Sequence, residues 1–198
     1  MTAIKRLMIV GVSAALTAFP LSLGAITANR CKCGKPTAAS YTWNFHREAN
    51  TLFDGIQTDA QHATNHAAKL QSFAYDSNIT WQLDANQLTQ IKSEVDDMGK
   101  KLCRLEIIRR VVSPWQQKTI DRIADNLQFM ADNTQDAILY VNGHQQDLMN
   151  PTYRMYANNL YSEGSNLSQS VGDAVEYAKV RHEYRELRDE VGAAPIPS

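Results

Sequence analysis

The chain of 198 residues is 43% hydrophobic and 21% charged, with a formal net charge of −1. That length and composition suit one domain with a substantial core and exclude both a disordered chain and a polytopic membrane protein. Lys5 and Arg6 belong to an N-terminal segment, and the remaining 18 of the 20 bases face 21 acids, which excludes a general nucleic-acid binder.

Residues 1–28 read as a secretory signal, with Lys5 and Arg6 as the basic region ahead of an uncharged, largely apolar run from Leu7 to Ala28. Ile26 and Ala28 place acceptable residues three and one before a cut at Asn29. The run is about as long as the ~20 residues that span a bilayer, so an uncleaved anchor at residues 7–28 is the alternative. Either outcome takes the body of the protein out of the cytosol, to a periplasmic or secreted location or to the membrane surface. Residues 29–41 read as a flexible tail bearing Cys31 and Cys33. The third cysteine is Cys103, and three thiols form at most one intramolecular bond. Cys31-Lys32-Cys33 matches neither the two-spacer redox motif nor a zinc ligand set. Two states stay open: Cys103 paired with Cys31 or Cys33, or three free thiols.

Residues 42–190 read as an all-α fold, an antiparallel up-down-up-down four-helix bundle with coiled-coil-like seams, and residues 191–198 as a disordered tail. The first helix carries Phe45, Ala49, Leu52, Ile56, Ala60, Ala63, Ala67, Leu70 and Ala74 on one face, its alanines permitting close helix approach. The second opens on Asp84 as N-cap with Gln87 three residues on, flanked by Leu83 and Leu88 as a hydrophobic staple, and runs to Val111. Its Leu88, Ile91, Val95, Met98, Leu102 and Leu105 recur at alternating three- and four-residue spacing, a heptad seam that requires partner helices. Ser113, Pro114 and Gln116 start the third helix, whose face is Ile120, Ile123, Leu127, Met130, Thr134, Ala137 and Val141, ending at Asn142-Gly143. So short a join is a hairpin or a kink in one rod; the hairpin is expected, because a rod leaves both heptad faces without partners. Asn150 and Pro151 start the fourth helix, with Tyr153, Tyr156, Leu160, Leu167, Val171, Ala174 and Ala178 on its face and a charged end from Lys179 to Glu190.

Asp59, His62 and His66 stand at spacings of three and four, so one stripe of the first helix presents a carboxylate and two imidazoles to a divalent metal, with Glu94 as a fourth ligand from the facing helix. The competing reading is a solvated polar face, since carboxylate-bridged metal bundles use inward Glu-x-x-His motifs and this chain has none. Lys100, Lys101, Arg104, Arg109 and Arg110 form a candidate anion-binding cluster, or else compensate the helix dipole. His46 and His182 fall at the same end of the bundle. No nucleophile elbow, phosphate-cradling glycine loop or His-Glu-x-x-His helix is present, and no cofactor is implied, a divalent metal aside. The expectation is therefore a non-catalytic, exported module that binds another envelope or extracellular protein, or itself, through its outer faces or its heptad seam; the alternative is a metal- or cofactor-binding bundle built on Asp59, His62 and His66.

Overall fold

A computed structural model describes residues 43–192. The signal segment, the cut at Asn29, the tail with Cys31 and Cys33, and residues 193–198 lie outside the described residues. Four helices make up the described chain: α1 (Phe45–Phe73), α2 (Trp81–Ile108), α3 (Pro114–Gly143) and α4 (Pro151–Gly192), with a single 3-10 turn, Arg109–Val111, between α2 and α3. Among the described residues there is no strand, and no helix is long and apolar enough to cross a membrane.

The helices pack because each carries a seam that water disfavours. On α2 the seam Leu88, Ile91, Val95, Met98 and Leu105 is buried, with Leu102 packed at its edge. On α1 the buried series is Ala49, Phe53, Ile56, Ala60, Ala63, Ala67 and Leu70, again at alternating steps of four and three. Phe53, and not Leu52, takes the core position, Leu52 being only partly buried. The seam of α2 is therefore consumed by the chain's own core. Full burial of each large aliphatic side chain contributes about 1.5–3 kcal/mol, so this shared interior outweighs any local preference.

Residue pairs fix how the helices meet. Glu48 meets Arg104, Asp59 meets Lys101 and His66 meets Gln87, so numbers rise along α1 as they fall along α2. Gln71 meets Asn158 and Gly164 faces Thr64, the same relation between α1 and α4. Between α3 and α4, Asn133 meets Glu163 and Asn159, while Tyr140 stacks on Tyr153 at 5.9 Å. Arg109 grips Asp121 across the join of α2 and α3, which pack on each other. At the end where α1 and α3 begin, Trp115 lies 6.3 Å from Phe53 and 5.1 Å from Tyr177.

Two helix starts show what local sequence decides. At α3, Gln116 Oε1 accepts the Ser113 N–H at 3.0 Å and the Ser113 hydroxyl at 2.8 Å, with Pro114 in the first turn. This is the start that was expected. At α2 the helix begins a turn before Asp84, with Thr80 as its N-cap. Asp84 then falls four residues before Leu88 on the buried seam, so its side chain points into the core and caps nothing. Starting one turn earlier also brings Trp81 against the core, a gain that a cap at Asp84 would forgo.

Candidate functional site

The metal stripe is taken apart by its neighbours. Asp59 accepts from the Lys101 ammonium, His66 Nδ1 donates to Gln87 Oε1 at 2.8 Å, and His62 lies 3.7 Å from Glu94. The facing helix was expected to bring Glu94 opposite, and it does. It also brings Lys101 and Gln87, which occupy the other two side chains one by one. The structure therefore does not bring Asp59, His62 and His66 together as a ligand set, and among the described residues no group of three His, Cys, Asp or Glu has metal-site geometry.

The basic cluster is largely neutralised in the same way. Lys100 pairs with Asp97 at 2.6 Å, Lys101 with Asp59, Arg104 with Glu48, and Arg109 with Asp121 at 2.7 Å. Only Arg110 of the five makes no ion pair among the described residues. The hydrogen bond from Arg104 holds the Glu48 carboxyl below the usual carboxylate range, against the effect of partial burial. An anion arriving here must break bonds that already exist, so pairing with acids describes this cluster better than anion capture.

Unpaired positive charge sits instead around the corner. A cleft of about 730 Å³ opens where α4 passes the starts of α1 and α3, lined by His46, Arg47, Trp115, Gln116, Arg181, His182 and Arg185 among others, with no acidic residue in its lining. Its floor is ordered by Gln116, which is buried at 1% exposure. The Gln116 amide nitrogen donates to the His46 carbonyl at 3.0 Å and to Asn50 Oδ1 at 2.8 Å, while its oxygen accepts from His46 Nδ1 at 2.9 Å. His46 and His182 thus do reach one cleft, as their placement at a common end implied. The arginines that give it charge were not singled out from sequence, because Arg47, Arg181 and Arg185 come from two helices and converge only through the fold. The positive charge of the cleft therefore comes from Arg47, Arg181 and Arg185, while both amide hydrogens of Gln116 are spent within the protein.

One buried and one partly buried carboxyl group complete the polar interior. Asp84 accepts the Tyr153 hydroxyl at 2.7 Å, both residues being 2% exposed or less. Burial pushes the Asp84 carboxyl up, opposed by that hydrogen bond, and pushes the Tyr153 hydroxyl up further. Glu163 accepts from Asn133 Nδ2 at 2.8 Å through one oxygen, while its other oxygen is buried without a hydrogen-bond partner. Desolvation raises this carboxyl as well. Cys103, 6% exposed, is disulfide-bonded; Cys31 and Cys33, the two candidates named for it, lie outside the described residues.

Comparison with protein-family models, with curated proteins and with solved structures finds no match for this chain.

Proposed function

We propose that this chain is an exported, non-catalytic interaction module: an antiparallel up-down-up-down four-helix bundle with coiled-coil-like seams that works by binding protein through its surface. One observation carries the reading. α4 has 42 residues against 28 to 30 in the other helices, and its final turns expose Tyr177, Val180, Tyr184, Leu187 and Val191. Apolar side chains gathered at solvent are the mark of a docking surface. The topology is supported by the opposite numbering of paired residues along α1 and α2, α1 and α4, and α3 and α4. Export is supported by Lys5 and Arg6 ahead of the uncharged run to Ala28. The site of action is then the periplasm or the exterior, or the membrane surface if residues 7–28 stay attached.

Fractionation of the native host and photocrosslinking from position 184 of the full chain test both halves. The expected result is an exported protein with a discrete crosslinked adduct; a cytosolic protein, or none but diffuse adducts, overturns the proposal. The cleft favours one second reading, capture of a phosphate or carboxylate group by Arg47 and Arg185. Titration with inorganic phosphate is expected to show saturable binding that weakens about tenfold in Arg185→Ala, one charged hydrogen bond being worth about 1.5–3 kcal/mol. Linear, unsaturable shifts would remove it.

A further inference from the structure

The exposed end of α4 carries a repeat that its charges make legible. Residues 176–191 read Glu-Tyr-Ala-Lys-Val-Arg-His, Glu-Tyr-Arg-Glu-Leu-Arg-Asp, Glu-Val, two heptads and the start of a third. Tyr177, Val180, Tyr184, Leu187 and Val191 occupy the a and d positions and are 50%, 53%, 68%, 61% and 75% exposed. Glu176, Glu183 and Glu190 fill every g position, and Arg181 and Arg188 fill the e positions. The outer f positions are His182 and Asp189.

This stripe does not continue the core face of α4. That face runs through Leu160, Leu167 and Val171 toward Ala174 and Ala178, and its next members are Arg181, Arg185 and Arg188. The exposed seam lies one residue earlier in each heptad and is turned about 100° from it. On its flank lies α3, but α3 starts at Pro114, and Trp115 already contacts Tyr177 at the root of the seam. Beyond Tyr177, α4 presents an apolar heptad face that α3 does not reach.

We infer that this face joins two copies of the chain as a short parallel coiled coil, naming the partner in the interaction reading on which the inference rests. Charge selects both the partner and its direction. In a parallel pair, each g residue meets the e residue five places on in the other helix, so Glu176 faces Arg181 and Glu183 faces Arg188 of the second copy, twice over by symmetry. An antiparallel pair sets g against g and e against e, bringing Glu to Glu and Arg to Arg. Within one copy, Arg188 has only an exposed bond to the adjacent Asp189 at 2.9 Å, a weak competitor. Parallel pairing also places both bundle bodies at the same end, with the two cleft openings side by side.

Sedimentation equilibrium of the full exported chain, up to about 100 μM so that a micromolar association saturates, is the test. A reversible dimer is expected. Leu187→Asp is expected to abolish it, and because this side chain is exposed, the variant keeps the fold of the bundle body, read as a helical signal and melting temperature equal to the parent's at a dilution where the parent too is monomeric. Glu183→Arg is expected to weaken association about tenfold by replacing two attractive contacts with two repulsive ones. Glu183→Arg with Arg188→Glu is expected to restore it, a rescue that an antiparallel pair does not give. A monomer at every concentration, or a dimer indifferent to Leu187→Asp, overturns the inference. A monomer that still crosslinks from position 184 to another protein, or to its own residues 29–42, overturns it as well; the first of these leaves the interaction reading standing, and the absence of any adduct removes both.

Discussion

Asp84 shows how a single residue changes meaning with the turn on which it falls. Read locally, an acid three residues before Gln87 is a helix cap; placed on the seam four residues before Leu88, it is a carboxylate in the core holding the Tyr153 hydroxyl. Burial raises its folded pKa above the ordinary 3.8. The native state then binds a proton more tightly than the unfolded chain, so the stability Asp84 contributes is greatest in acid and is lost as pH rises through its folded value. Asp84→Asn keeps an acceptor for Tyr153 and has no charge to bury. The variant is expected to match the parent near pH 3 and to exceed it by on the order of 1 kcal/mol at neutral pH, the scale of an incompletely satisfied buried polar group. Urea midpoints at the two pH values check this; a difference that widens toward acid would contradict the assignment.

At the scale of the helix, the α1 and α4 interface separates two glycines that look alike in sequence. A Cβ on Gly164 would lie 2.6 Å from Thr64 Oγ1 and 3.4 Å from the Thr64 backbone, and that hydroxyl is held by the Ala60 carbonyl at 2.7 Å. Nothing there yields cheaply, since Thr64 is β-branched and bonded to its own helix. A Cβ on Gly172 would meet Gln57 Nε2 at 2.7 Å, the far end of a flexible side chain with room to turn. Gly172→Ala is therefore expected to stabilise by up to about 1 kcal/mol through helix propensity, and Gly164→Ala to destabilise by about 1–3 kcal/mol through overpacking. Thermal melts of the two variants give opposite signs if close approach at residue 164 is what its glycine serves. The apolar spacing made the four helices legible in advance, along with the alanine face of α1 and the start of α3. Side-chain company was not legible: whether Asp59 belongs to a metal or to Lys101 depends on α2, 42 residues away.

For the molecule as a whole, one end differs from the other. The starts of α1 and α3, the cleft with Arg47 and Arg185, and the overrun of α4 all gather there. In sequence, the stretch from Lys179 to Glu190 reads as a charged helix end, because strong flanking charge hides the seam of Val180, Tyr184 and Leu187 until the body of the bundle is in place beside it. At about 1.5 Å per residue, the 12 residues by which α4 exceeds α3 add roughly 18 Å of helix. A helix of that length without tertiary support is marginal in water, since nucleation is costly and each residue adds little. In the monomer, its hydrogen bonds open by local fraying, whereas those around Leu160 and Leu167 open only when the core does. Amide exchange at a dilution where the chain is monomeric is therefore expected to label residues 186–192 at least 100-fold faster than residues 157–171. Raising the concentration should slow the first group and leave the second unchanged, because pairing covers the overrun alone. Equal protection of both groups at high dilution would mean that α4 is held along its full length by its own bundle, and the stripe would no longer be an open surface.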